Sequence, residues 1–152
     1  MAYTATKNWK AGSSMISTDF DTFISANMDV ANQQQLQWTS TGTFASTGPA
    51  LARWIAPYAL TVLGAHIGAG TASSSGSIVM DILRSTNSTA AAVTLFTSSS
   101  ELPTLSSGKT ETTSITAPDV TSVSAGHVLT VNVVSAGGGG ADISLIVSLS
   151  GA

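Results

Sequence analysis

Apolar and polar residues alternate from Ala141 to Ser150, with Ile146 the one exception. Ala141, Ile143, Leu145, Val147 and Leu149 fall on one face, and Asp142, Ser144, Ile146, Ser148 and Ser150 on the other. A side-chain period of two marks a half-buried strand, so the pattern predicts a strand over 141–149. A second run, 127–134, alternates through Leu129, Val131 and Val133, and the glycine-rich residues 136–140 between them predict a hairpin loop. The same signals predict strands over 51–57, 60–67, 77–84, 91–97 and 110–116. Seven or eight strands at this spacing indicate a sandwich or jelly roll, with residues 68–77 and 97–109 as its longest loops. In 78–83, Ile78, Met80 and Ile82 share one side while Val79 and Leu83 flank Asp81 on the other. A strand apolar on both sides predicts that neighbouring subunits cover part of the outer surface. A closed trimer is the favoured arrangement, and a dimer would bury such a surface equally well.

The first 40 residues read differently. Thr18 and Asp21 have the spacing of a capping box, and Asp19 and Asp21 suit the positive end of a helix. The pattern predicts a helix from Asp19 to about Leu36, with Phe20, Phe23, Ile24, Met28, Val30 and Ala31 recurring every three or four residues. A helix of this length is marginal alone in water and needs a surface to dock on. The expected organisation is therefore an N-terminal arm and one short α-helix over 1–40, followed by a mainly β jelly-roll sandwich over 41–152.

Composition narrows the function. Charged residues make up 9% of the 152 residues, with a net charge of −3, against about 25% in ordinary domains. Ser and Thr make up about 30%. Five basic residues, Lys7, Lys10, Arg53, Arg84 and Lys109, form no stripe able to neutralise phosphates, so nucleic acid is not an expected partner. There is no cysteine, which removes disulfides and thiolate metal sites. Lys7 and Lys10 are followed by no apolar signal core, and no run approaches the roughly 20 residues that span a bilayer. The expectation is a protein made in a cytoplasm, without a membrane partner, that leaves the cell only as part of something larger.

Two stretches resemble known proteins. NWKAGSSMISTDFDTFISANMDVANQQ resembles the start of small tailed-phage structural proteins, where Trp and Gly lead into a short amphipathic helix. Residues 54–149 are similar to the C-terminal jelly-roll module of phage minor structural proteins. The carriers are WIAPYALTVLGAHIGAGTASSSGSIVMDILRS and LFTSSSELPTLSSGKTETTSITAPDVTSVSAGHVLTVNV. The second departs from the usual pattern at His127, where Asp commonly follows the glycine. The resemblance implies a virion component made in a bacterial host, a trimer with a TNF-like jelly roll, serving as a head decoration protein, a head fibre or a tail appendage.

Candidate chemistry is sparse. Ser, His and Asp all occur, but no G-x-S-x-G elbow is present, so catalysis is not expected. His66 and His127 read as surface or interface histidines. Asp81, Glu101, Glu111, Asp119 and Asp142 lack the spacing of a calcium loop. The glycine runs lack the Lys-Ser/Thr of a phosphate loop, and no cofactor or metal is implied. Eight of the nine aromatic residues lie within the first 58 positions. Buried aromatics dominate interface energies, so Tyr3, Trp9, Phe20, Phe23, Ile24 and Met28 are the expected contacts with a capsid or a sister subunit. Trp38, Phe44 and Trp54 are read as core. The expected role is capsid cementing on a lattice of major capsid protein; the other reading is a receptor- or carbohydrate-binding fibre module.

Overall fold

The computed structural model describes residues 33–43, 47–87 and 89–151. The chain divides into Met1–Gln33 and Gln34–Ala152, and the second unit is a β-sandwich. Its strands are β1 (Gln33–Thr43), β2 (Gly48–Ile55), β3 (Leu60–Thr71), β4 (Ser75–Ser85), β5 (Val93–Thr94), β6 (Thr104–Leu105), β7 (Ser122–Val123), β8 (Val128–Gly138) and β9 (Ala141–Gly151). One sheet has the order β1-β9-β3-β7; the other has β2-β8-β4-β5, with β6 also paired to β4. The pairings of β2 with β8, of β3 with β7 and β9, and of β4 with β5, β6 and β8 are all antiparallel. This order, in which the last long strand lies between the first and third and the penultimate one between the second and fourth, is jelly-roll-like.

The alternation read from the sequence fills the space between the sheets. Val62, Ala65 and Ile67 of β3 and Ile143, Leu145, Val147 and Leu149 of β9 face Ile78, Met80 and Ile82 of β4 and Leu129, Val131 and Val133 of β8, all of them buried. Each of these side chains other than Ala65, fully withdrawn from water, contributes roughly 1.5–3 kcal/mol.

Four expectations need correction. The helix expected over 19–36 ends in residues that are strand: Gln33–Leu36 belong to β1, where Leu36, Trp38 and Ser40 alternate inward with exposed neighbours. The remainder of that helix, residues 19–32, lies outside the described residues. Among these, the one helical element is a 3₁₀ turn, Ser99–Glu101, closed by a capping box between Ser98 and Glu101. Residues 136–140 do not make a hairpin, because β8 and β9 belong to different sheets. Gly137 and Gly139, both at positive φ, carry the chain across the sandwich instead. The loop expected over 68–77 is strand at both ends, and only residues 72–74 make the crossing from β3 to β4. The strand expected over 110–116 is an irregular segment joined to β3 by two isolated bridges, Ala65 with Thr116 and Gly68 with Glu111.

A polar contact pins β5 to β4. Thr94 Oγ1 donates to Asp81 Oδ1 at 2.6 Å and accepts from Phe96 N at 3.0 Å. Asp81 is 8% exposed, and burial holds its carboxyl above the usual carboxylate range, outweighing the hydrogen bonds from Thr94 and from the Ile82 backbone. A raised folded-state value means that the unfolded chain ionises first, so this residue's contribution falls as pH rises from about 4 through the folded value. Asp81→Asn keeps an acceptor for Thr94 without the charge. We expect it to be at least as stable as the native protein at neutral pH, with the two converging in acid; urea titrations across that range measure the difference. Asp119 works in the opposite sense. It accepts from Thr97 N at 2.6 Å and from Thr97 Oγ1 at 2.9 Å, which holds its carboxyl below the usual range, so its contribution is lost only in acid.

Candidate functional site

The outer face of the four-stranded sheet is built from alternate residues of β3 and β9. Their register places Thr61 opposite Ser150, Gly64 opposite Ser148, His66 opposite Ile146 and Gly68 opposite Ser144. None of these side chains is a carboxylate, lysine or arginine; Asp142 stands at the end of the row. Asp142 has φ 54°, an uncommon backbone state for a residue with a side chain. Its Oδ1 accepts from Gly42 N at 2.8 Å, tying the end of β1 to the start of β9.

Residues 110–116 lie along the free edge of β3. Ala65 N donates to Thr116 O at 2.8 Å, Thr116 N to Ala65 O at 2.9 Å, Thr112 N to Ile67 O at 2.9 Å, and Ala69 N to Thr110 O at 2.7 Å. This close approach explains Gly64: a Cβ there would collide with Ile115 Cγ2 and lie 3.0 Å from Thr116 O. Between the segment and the sheet runs an open groove of about 340 Å³ that includes Gln35, His66, Thr112, Ile115, Ile146 and Ser148 in its walls. His66 Nδ1 and Thr112 Oγ1 are 2.7 Å apart, and Ile67 N donates to the same hydroxyl at 3.3 Å. The groove offers neutral donors and acceptors between two isoleucines, with Ile115 60% exposed.

A smaller cavity, about 130 Å³, opens between the sheets where β1 and β2 form their ends. Leu36, Trp38, Ala52 and Trp54 line it over Leu129, Val131, Leu145 and Val147. Trp38 and Trp54 are half-buried against the core. The lining is mainly apolar and continuous with the core.

Of the residues singled out in the sequence, Tyr3, Trp9, Phe20, Phe23, Ile24, Met28 and Phe44 lie outside the described residues. His66 is brought to the groove; His127 is in a tight turn, where its N–H donates to Ser124 O at 3.1 Å and its Nδ1 accepts from Ser124 N at 3.3 Å. The ring nitrogen thus supplies the acceptor that an aspartate would offer at this position. Among the described residues no three His, Asp or Glu side chains gather as a metal site, and no helix is long and apolar enough to cross a membrane. The groove walls Thr112 and Ile115 were not foreseen, because only the fold of 110–116 over Gly64 places them beside His66.

No family model matches the chain, and no curated protein does. A solved structure of infectious bursal disease virus, Gx strain, is similar over 76% of this chain, at 14% identity and a TM-score of 0.29. The match spans 32% of that viral chain, about a third of its length.

Proposed function

We propose that the protein is a non-enzymatic structural component of a virion. Its role is to cement a capsid: copies join through the sandwich into a closed homo-oligomer and dock on a lattice of major capsid protein by the N-terminal arm, with Tyr3 and Trp9 as anchors. The observation that carries this reading is the outer face of the four-stranded sheet. A solvated face normally bears charges that keep molecules apart, whereas here the row is glycine, hydroxyl, histidine and isoleucine. Neutral contacts make the assembled state insensitive to salt, and binding that is confined to the assembled form stabilises it by mass action.

The test uses capsid shells that lack the protein. Purified native protein is expected to co-sediment with them, with little loss on raising the salt, and replacing Tyr3 and Trp9 together by alanine should weaken binding at least about tenfold. Absence of native binding overturns the role; undiminished binding by the double variant overturns the anchor. The groove beside His66 favours a second reading, a module that binds neutral sugars from a fibre. A saturable glycan signal lost on His66→Ala would favour it over cementing.

A further inference from the structure

The cavity of about 130 Å³ between β1 and β2 interrupts the packing of the sandwich. Its floor is core: Leu129 and Val131 of β8 and Leu145 and Val147 of β9 range from 0% to 6% exposed. Its walls are Leu36 and Trp38 of β1 and Ala52 and Trp54 of β2, all partly buried against that core.

The register locates the cause. β2 runs antiparallel to β8 with Ala52 opposite Val131 and Trp54 opposite Leu129. Residues two apart on a strand share a face, so a single methyl group at 52 stands beside an indole at 54, and the space that a leucine would fill at 52 stays open. Interiors pack about as densely as organic crystals, and atoms facing a void lose the dispersion contacts a neighbour would give. Water is a poor filling, because a buried water needs two to four polar partners. Besides the two tryptophans, the polar residues of the lining are Gln37 and Arg53. Both are exposed and alternate with the residues that pack inward.

From this volume and lining we propose that the cavity is a binding site for one small, uncharged aromatic molecule of the size of benzene or toluene. A dry cavity of roughly 150 Å³ walled by aliphatic and aromatic side chains takes up benzene, and this one is close to that volume. The two indoles select a ring over an alkane, because aromatic pairs gain from edge-to-face and offset contacts beyond the area they bury. A carboxylate or ammonium group would lose its hydration against the apolar floor. A ring seated here touches both sheets at once, so its binding favours the folded sandwich by mass action. The site lies within the sandwich and does not depend on the cementing role.

Toluene and the full-length chain test it. In a titration followed by methyl NMR, the resonances of Leu36, Leu129, Val131, Leu145 and Val147 are expected to shift by ring currents and saturate with a dissociation constant of about 1 mM or tighter. Those of Leu105 and Val123, buried on the far sides of β4 and β3, should stay in place. Toluene-saturated buffer should raise the thermal midpoint by about 3 °C. Ala52→Leu fills the space: its midpoint without toluene should equal or exceed the native one, and its affinity for toluene should fall at least about tenfold.

No saturable shift in the native protein, or shifts spread evenly over the core methyl groups, overturns the site whether or not the variant folds. A folded Ala52→Leu protein that binds toluene as tightly as the native one overturns it too. None of these outcomes touches the binding of capsid shells, which tests the cementing role separately.

Discussion

Replacing Phe96 with alanine is expected to cost about 4 kcal/mol, the largest loss from any single side chain considered in this domain. Phe96 is the one aromatic residue after Tyr58, and it is 2% exposed within the core cluster. It follows β5, where Thr94 Oγ1 accepts from its backbone N–H and Leu95 N donates to Ile82 O at 2.9 Å. The ring therefore enters the core from a segment attached by two strand residues and a few hydrogen bonds, and truncation removes both apolar burial and the reason for that segment to stay down. In urea the midpoint should fall with an unchanged slope; on heating, the shift should be roughly 15 °C for a domain of this size. Phe96→Leu keeps much of the volume and should cost about 1–2 kcal/mol. If alanine and leucine cost the same, or alanine costs less than about 1 kcal/mol, the core assignment of Phe96 is wrong.

Ser73→Ala is the second large effect, about 2–3 kcal/mol, and its cause is polar. Ser73 is 1% exposed and sits in the 72–74 crossing between the sheets. Its oxygen accepts from Gly138 N at 3.0 Å, and its proton is shared among the carbonyls of Ser75, Gly76 and Gly138 at 2.8, 2.9 and 3.1 Å. Its own carbonyl accepts from Gly108 N at 2.8 Å and Ser107 Oγ at 3.1 Å. One side chain thus fastens the β3–β4 crossing to the end of β8, beside the turn at 107–108. Alanine leaves the Gly138 N–H without this acceptor in a site closed to water, and an orphaned buried donor costs about 1–3 kcal/mol. Gly137 shows how tight the junction is: its φ is 63°, and a Cβ would lie 2.6 Å from Ser73 Oγ. The control is Ser74→Ala. Ser74 Oγ also donates to Gly138 O, at 3.0 Å, but is exposed, so water replaces it and the cost should stay below about 1 kcal/mol. Equal losses at the two serines would refute the burial argument.

The sequence made the long central strands legible because each buries one face. β3, β4 and β9 contain the runs read from alternation and β8 begins one residue inside its run, and the strands extend the prediction by only a few residues. What alternation leaves open is which sheet a strand joins. The glycines at 137–140 provide the backbone freedom of a sharp reversal, and they serve a crossing between sheets as readily as a hairpin. β1 was missed for a different reason. Glutamine is a good helix former, so QQQLQ extends a helical pattern, and only the sheet offered by β9 makes strand the better state for those residues. The core placement of Trp38 and Trp54 was readable from residue type. The groove was not: His66 was visible as a residue, but its partner Thr112 lies 46 positions away and reaches it through an irregular segment.

The placement of β9 between β1 and β3 has a consequence for folding. Residues 60–71 pair with residues 141–151, so the middle of this sheet cannot close from contacts between neighbours in the chain. Long-range topologies of this kind close slowly, and bringing β3 to β9, not forming either strand, is the step expected to set the folding rate.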